Sequence, residues 1–143
     1  MAVHRHRVQL QEVDAAGVVF YATYFVYAHQ AYERALLDAG FDLAALLTAG
    51  RFALPMVHAE ADYRHPLRYG DTVEITVAVG RVGGRSFTLV CTLTKGETVV
   101  ATVTHVHACL DIATKASATL PEELVAALQR VTAGTSAHDI QRE

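Results

Sequence analysis

Apolar and polar positions alternate along the first part of the chain, with His4, His6, Val8 and Leu10 on one side and Arg5, Arg7, Gln9 and Gln11 on the other, which predicts a strand. After Gly17 the period lengthens to that of a helix. Tyr24, Ala28, Ala31, Tyr32, Ala35 and Leu36 fall on one stripe, and Gly40 can terminate it. Residues 42–47 read as a short second helix leading to Gly50. From Phe52 the pattern is extended again, with Val57, Ala59, Ala61 and Tyr63 opposite His58, Glu60, Asp62 and Arg64. Residues 71–79 alternate cleanly and put Val73, Ile75, Val77 and Val79 on one face. Residues 80–84 supply a turn or bulged corner, Phe87, Leu89, Cys91 and Leu93 continue the meander, and Lys95-Gly96-Glu97 makes a tight hairpin connection. The last strand, residues 99–110, changes its apolar phase near His105, as a bulge or burial on both faces would require. Pro121 with Glu122 and Glu123 opens a helix over residues 121–131, with Leu124, Leu128 and Val131 along one side. One helix followed by a row of strands is an α+β pattern rather than an alternating βαβ one.

At 143 residues the chain forms one domain, with no internal repeat and no linker before its end. The expected boundaries are 1–132 for the domain and 133–143 for a disordered tail. A chain of this length buries roughly two-thirds of its unfolded surface and needs no disulfide. Cys91 and Cys109 sit in strand-like runs without metal-like spacing, which fits a reducing compartment. No secretory leader pattern or membrane-length apolar run occurs, so a soluble cytoplasmic protein with no membrane partner is expected. The net charge of −3 offers no basic stripe for nucleic acid.

The stretch Val13-Asp14-Ala15-Ala16-Gly17-Val18-Val19-Phe20-Tyr21 carries the most chemistry. Asp14 falls in the strand-to-helix connection, near a helix start whose unpaired N–H groups favour developing negative charge. A thioester carbonyl acquires such charge when attacked. On spacing alone a turn or N-cap aspartate is the favoured reading of Asp14, with Gly17 supplying the permissive backbone.

Other clusters have two readings each. His29 and Glu33, four apart on the long helix, form either a catalytic His–carboxylate pair or a surface hydrogen bond. His58, Glu60 and Asp62 share one strand face, but neighbours there stand about 7 Å apart, too far for one ion without a bend. A polar face covered in part by a second protomer fits them better. His105 and His107 are readable as metal ligands, yet without a thiolate or carboxylate motif they fit hydrogen-bonded strand histidines better. No metal site is expected. No G-x-S-x-G elbow is present, and Ser86, Ser117 and Ser136 lie in other contexts, which argues against a serine hydrolase.

Asp14-Ala-Ala-Gly17-Val-Val-Phe-Tyr21-x-x-Tyr24 resembles the opening motif of the 4-hydroxybenzoyl-CoA thioesterase family of hotdog-fold proteins. His29-Gln30-Ala31-Tyr32-Glu33, Phe52 through Ala59 and Gly70-Asp71 continue the resemblance, most closely to its 1,4-dihydroxy-2-naphthoyl-CoA thioesterase branch. The resemblance covers residues 5–112. It implies a hotdog fold, a curved antiparallel sheet of about five strands wrapped around one long central helix, and hydrolysis of an acyl-CoA without a cofactor.

By position the resemblance makes Asp14 the reactive carboxylate, acting as nucleophile or general base, the backbone N–H of Tyr21 the donor to the thioester carbonyl, and Gly17 the point of close backbone approach. Arg81, Arg85 and Ser86 correspond roughly to a segment that meets CoA, while also being readable as solvated turn residues. The acyl pocket would draw on Phe20, Tyr24, Tyr27 and His58, with His29 and Glu33 as further substrate-binding candidates. A homodimer or homotetramer with sites shared between protomers is also implied. Thr23 stands where the family often has Asn, and Gln30 where the branch has Glu, which bears on the acyl group more than on the reaction. The alternatives are an acyl-carrier-protein thioesterase, a non-catalytic acyl-CoA-binding protein, and a hydratase, which would carry a histidine near the helix start.

Overall fold

A computed structural model describes the chain over residues 2–142, with side chains described over residues 3–133. The strands β1 (Ala2–Arg7), β3 (Met56–Tyr63), β4 (Thr72–Val82), β5 (Ser86–Lys95) and β6 (Thr98–Ala108) form one sheet in the order β1-β4-β5-β6-β3, every neighbour antiparallel. A small second sheet pairs β2 (Phe52–Ala53) with β7 (Leu110–Asp111). The main sheet wraps α1 (Thr23–Asp38), while α2 (Leu43–Ala49) follows it and α3 (Glu122–Arg142) packs beside β4 and α1. This is the expected α+β architecture. The expected tail over residues 133–143 falls largely where side chains lie outside the described residues.

The helix stripe read from the sequence is the buried one: Tyr24, Ala28, Ala31, Tyr32, Ala35 and Leu36, joined by Tyr27. Three alanines on that face let α1 lie close to the sheet. The helix stops in a Schellman arrangement, with Phe41 N–H donating to the Leu36 carbonyl at 2.8 Å and Gly40 N–H to Leu37 at 3.0 Å. Gly40 has φ +93°, a conformation that other residues adopt only at a cost. Against the stripe pack Val73, Ile75 and Val77 of β4, Phe87, Leu89, Cys91 and Leu93 of β5, and Ala101 and Val103 of β6. Each large aliphatic side chain buried there contributes roughly 2 kcal/mol by its removal from water.

Three expectations are corrected. The first strand ends at Arg7, because its partner β4 begins only at Thr72; Leu10 lies in a 3-10 turn, Leu10–Glu12, and is 66% exposed. The phase change in β6 occurs at Val100, where Leu93 pairs with Ala101 but Thr94 with Val99, leaving Val100 as the extra residue of a bulge. His105 and His107 continue the inward phase of Ala101 and Val103 and are buried in the core. The alternation in β3 does not separate a buried from an exposed face: β3 is an edge strand, and only Ala61 is part-buried. Among the described residues, no helix is long and apolar enough to cross a membrane.

Candidate active site

Asp14 sits on a short hairpin inserted between the 3-10 turn and α1. Val13 bridges Val19, Asp14 N–H donates to the Val18 carbonyl at 2.8 Å, and Gly17 N–H returns to the Asp14 carbonyl at 3.0 Å. The turn is closed again by the side chain, whose Oδ1 accepts Ala16 N–H at 2.8 Å. Gly17 has φ +80°, and a Cβ built there would meet nothing within 4 Å. Glycine is therefore required by backbone conformation, not by a close approach within this chain. The hairpin is exposed at its tip and held at its base, where Val18 bridges Arg68 and Val19 N–H donates to the Leu67 carbonyl at 2.8 Å. The second carboxylate oxygen of Asp14 has no hydrogen-bond partner among the described residues.

The returning arm delivers Phe20 and Tyr21 to the start of α1. Tyr21 precedes the N-cap Ala22, and its N–H has no acceptor among the described residues. Its carbonyl is pinned by Tyr63 of β3, whose hydroxyl donates at 2.7 Å. The Tyr24 and Tyr63 rings meet edge to face at 4.9 Å. Burial raises both phenol pKa values, so both hydroxyls remain donors near neutral pH. Beside them opens a cleft of about 300 Å³ lined by Val19, Tyr21, Tyr24, Tyr63, Arg64, His65 and Pro66. Phe20, 45% exposed, stacks at a tilt on Tyr21 with centroids 4.7 Å apart.

Tyr27 does not belong to this cleft. It is fully buried, and its hydroxyl donates to Glu12 at 3.0 Å. Tyr63 and the turn behind it, residues 64–66, were not singled out in the sequence as site residues. The alternation of β3 marked Tyr63 only as one face of a strand.

His29 and Glu33 do pair, with Nδ1 to Oε1 at 3.1 Å. They line a separate hollow of about 180 Å³ with Tyr32, Leu43, Leu46, Leu47 and Leu54, between α1 and α2. Beneath it the two core histidines form a relay. His107 Nδ1 donates to the Leu54 carbonyl at 3.2 Å, because a carbonyl can only accept. In its neutral form its Nε2 then accepts from His105 Nδ1 at 2.8 Å, and His105 Nε2 faces the Cys91 thiol at 3.7 Å. His107 is sandwiched between Tyr32 at 4.5 Å and Phe87 at 5.1 Å. Burial, then the charges of His107 and His29, depress His105 to about 4. Burial also lowers His107, and it pushes the Cys91 thiol up to about 12.

The remaining candidates stand apart from Asp14. His58, on the edge strand, is 57% exposed and lies 3.9 Å from Glu60. Arg81 and Arg85 are exposed and Ser86 part-buried at the β4–β5 corner, where Gly83 N–H donates to the Ser86 carbonyl at 2.8 Å. The Asp14 hairpin leans on Leu67 and Arg68, just before β4 begins, whereas this corner lies at its far end. Roughly 30 Å of strand separates them. One protomer therefore does not bring the Arg81, Arg85 and Ser86 corner to the carboxylate. No group of three or more His, Cys, Asp or Glu side chains among the described residues could hold a metal ion.

The model of the thioesterase-like superfamily matches residues 8–128. A 1,4-dihydroxy-2-naphthoyl-CoA hydrolase from Nostoc punctiforme is 33% identical over 122 residues, covering 85% of this chain and 82% of that protein. The structure of a 1,4-dihydroxy-2-naphthoyl-CoA thioesterase from Synechocystis superposes with a TM-score of 0.84 at 26% identity, covering 89% of this chain and 94% of the other. A gentisyl-coenzyme A thioesterase gives a TM-score of 0.81 at 26% identity, covering 88% and 98%. A pattern matched through the hairpin, α1 and strands β3 to β6, together with the same wrap of sheet around helix, establishes that the chain belongs to the thioesterase-like superfamily and carries the hotdog fold.

Proposed function

We propose that this protein hydrolyses an aromatic or similarly compact acyl-CoA thioester to the free acid and CoA, with Asp14 as the reacting carboxylate. The observation that carries this reading is the hairpin itself. It presents an exposed carboxylate with one oxygen fixed by Ala16 N–H and the other unpaired, and its returning arm ends at a Tyr21 N–H without an acceptor. A thioester carbonyl whose oxygen accepts from Tyr21 N–H would have its developing charge stabilised there and at the start of α1. In the nucleophilic route an Asp14 oxygen bonds to the carbonyl carbon, the C–S bond breaks, and CoA leaves as thiolate. Water then cleaves the mixed anhydride and restores the carboxylate. In the general-base route Asp14 takes a proton from water as that water attacks the same carbon, and the proton passes to the departing sulfur.

The aromatic cleft beside Tyr24 and Tyr63 supports a planar acyl group, and the relatives' acyl groups, dihydroxynaphthoyl and gentisyl, make hydroxyaryl thioesters the first substrates to try. We further infer a cytoplasmic homodimer or homotetramer, in keeping with two buried free cysteines and an edge strand that is exposed along its length. Two copies of β3 paired antiparallel about a twofold axis would set the Tyr63 end of one copy beside the Met56 end of the other. His58 and the β4–β5 corner of the second copy would thereby come to the side of the sheet that carries the first copy's Asp14.

Release of free thiol, CoA from acyl-CoA thioesters with aromatic and aliphatic acyl groups and the carrier protein's thiol from acyl-carrier-protein thioesters, tests the reading. Aromatic acyl-CoA turnover is expected, falling at least about 1000-fold in a folded Asp14→Asn variant. Undiminished turnover in that variant would remove Asp14 from the mechanism, and binding without thiol release would indicate a non-catalytic acyl-CoA carrier.

A further inference from the structure

Two residues before Asp14 lies a second carboxylate with no access to the cleft. Glu12 Oε1 accepts the Gln9 N–H at 2.7 Å, the Tyr27 hydroxyl at 3.0 Å and His6 Nε2 at 2.8 Å, and His6 also lies 3.2 Å from Oε2. Gln9 caps the 3-10 turn to which Glu12 itself belongs, while Tyr27 and His6 come from two other elements, α1 and β1. The Glu12 and His6 side chains are 15% and 16% exposed, and the His6 ring packs on Tyr27 with centroids 4.8 Å apart. Burial alone would raise the Glu12 carboxyl, but the bonds from His6, Gln9 and Tyr27 outweigh it and hold the group below the ordinary range. At neutral pH it is an ionised acceptor already engaged by three donors, unsuited to acting as a base. Its own backbone carbonyl meanwhile accepts Phe20 N–H at 3.0 Å, one residue before Tyr21.

Resting on the reading of Asp14 given above, we propose that Glu12 is the positioning residue of the site: its carboxylate ties the hairpin to α1 and β1 while its carbonyl ties down the arm that carries Tyr21. Asp14 adjoins the exposed tip of one hairpin, residues 15–17, whose hydrogen bonds from Ala16 and Gly17 run back to Asp14 itself, and the Tyr21 N–H stands at the end of its returning arm. Their relative placement therefore depends on the base. The Val18–Arg68 bridge fixes one side of it, and Glu12 fixes the other to the helix whose start supplies the donor. A displacement of about 1 Å between reacting groups costs on the order of 100-fold in rate, so loosening this clamp should appear in catalysis before it appears in binding.

Acyl-CoA hydrolysis by Glu12→Ala, Glu12→Gln, Asp14→Asn and the double variant E12A/D14N tests the proposal, with folding followed by circular dichroism. Glu12→Ala is expected to lower kcat by about 30- to 100-fold with KM changed less than about 3-fold, because the lost interaction acts on transition-state geometry. Glu12→Gln keeps a side-chain oxygen for Gln9 and Tyr27 and should recover kcat to within about 5-fold of the parent. In the Asp14→Asn background, where the group being positioned is gone, Glu12→Ala should cost less than about 3-fold in the residual rate.

A folded Glu12→Ala protein with parental kcat, beside an inactive Asp14→Asn, would overturn the proposal and leave the Asp14 reading intact. Equal losses in the two backgrounds would also overturn it, since Glu12 would then act independently of Asp14. An active Asp14→Asn would defeat the Asp14 reading itself. If Glu12→Ala fails to fold, Tyr27→Phe removes one bond of the clamp and is expected to lower kcat by about 5-fold; an unchanged kcat would overturn the proposal.

Discussion

The buried histidine relay is expected to make this protein less stable in acid, with His105 as its most perturbed member. His105 lies 1% exposed, and its neutral form is what the relay requires, because protonating Nε2 would remove the acceptor facing the Cys91 thiol and put a full charge into the core. Its folded pKa of about 4 lies below the ordinary histidine value of 6.5 in the unfolded chain. As pH falls through 6.5 the unfolded chain takes up the proton first, so stability is fully present above 6.5 and is lost progressively down to about 4. At pH 5.5 the unfolded histidine is about nine-tenths protonated and the folded one hardly at all, which gives a slope of about 1.2 kcal/mol per pH unit from this residue. Across the whole window the loss approaches about 3 kcal/mol, a substantial part of a typical domain's 5–15 kcal/mol. Glu12, whose folded pKa is also depressed, loses its contribution only as pH falls below the ordinary value of 4.5, so the two effects occupy different windows.

The perturbation is His105→Gln, which can still donate to His107 Nε2 but does not titrate. Urea unfolding followed by circular dichroism at pH 7.5, 6.5, 5.5 and 4.5, at one protein concentration, gives the two stability profiles. His105→Gln is expected to be less stable at pH 7.5, since an amide fills the site less well than an imidazole, but its profile should be flatter by about 1 kcal/mol per pH unit between 6.5 and 4.5. Parallel profiles would refute the assignment of the buried neutral state to His105.

Two further outcomes follow from the site geometry. Tyr63→Phe removes the hydroxyl that pins the Tyr21 carbonyl and is expected to lower kcat by about 5-fold while changing unfolding free energy by no more than about 1 kcal/mol; steady-state kinetics beside urea melts check it, and an unchanged kcat would show that the Tyr21 peptide needs no such support. Gly17→Ala meets no atom within 4 Å, so its whole cost is the positive φ of +80°. A loss of about 1–2 kcal/mol in urea unfolding is expected, with Gly17→Asn costing less, and a much larger loss would mean that a second copy or another group occupies that space.

Much of the fold was legible because local period and burial coincide. The α1 stripe and the β4 and β5 alternation name their buried residues directly, since each faces a continuous core and nothing interrupts the pattern. Where burial depends on the partner strand, the pattern fails. Leu10 keeps the period of β1 but has no strand beside it, and β3 alternates although only Ala61 along it is even partly buried within the protomer. The β6 histidines look like a phase change only because imidazole is counted as polar. They sit inward because a carbonyl from the Leu54 turn, a neighbouring imidazole and a thiol satisfy them there, and no local window contains all three.

The same division runs through the site. Asp14 and Gly17 are local: an aspartate whose side chain caps its own turn and a glycine at positive φ three residues on can be read from turn chemistry. The unpaired N–H of Tyr21 follows from its place before a helix. What holds these groups to one another is not local. The Tyr63 hydroxyl reaches Tyr21 across 42 residues, and the Tyr27 hydroxyl reaches Glu12 across 15, so neither bond leaves a spacing signature. Glu12 in the sequence is one acidic residue among fifteen, and only the convergence of β1, the 3-10 turn and α1 distinguishes it. Residues proposed to react must be exposed to substrate, and Asp14 and Gly17 lie on a turn with recognisable chemistry. Residues that aim them must be buried between elements, so their roles emerge only when those elements are packed.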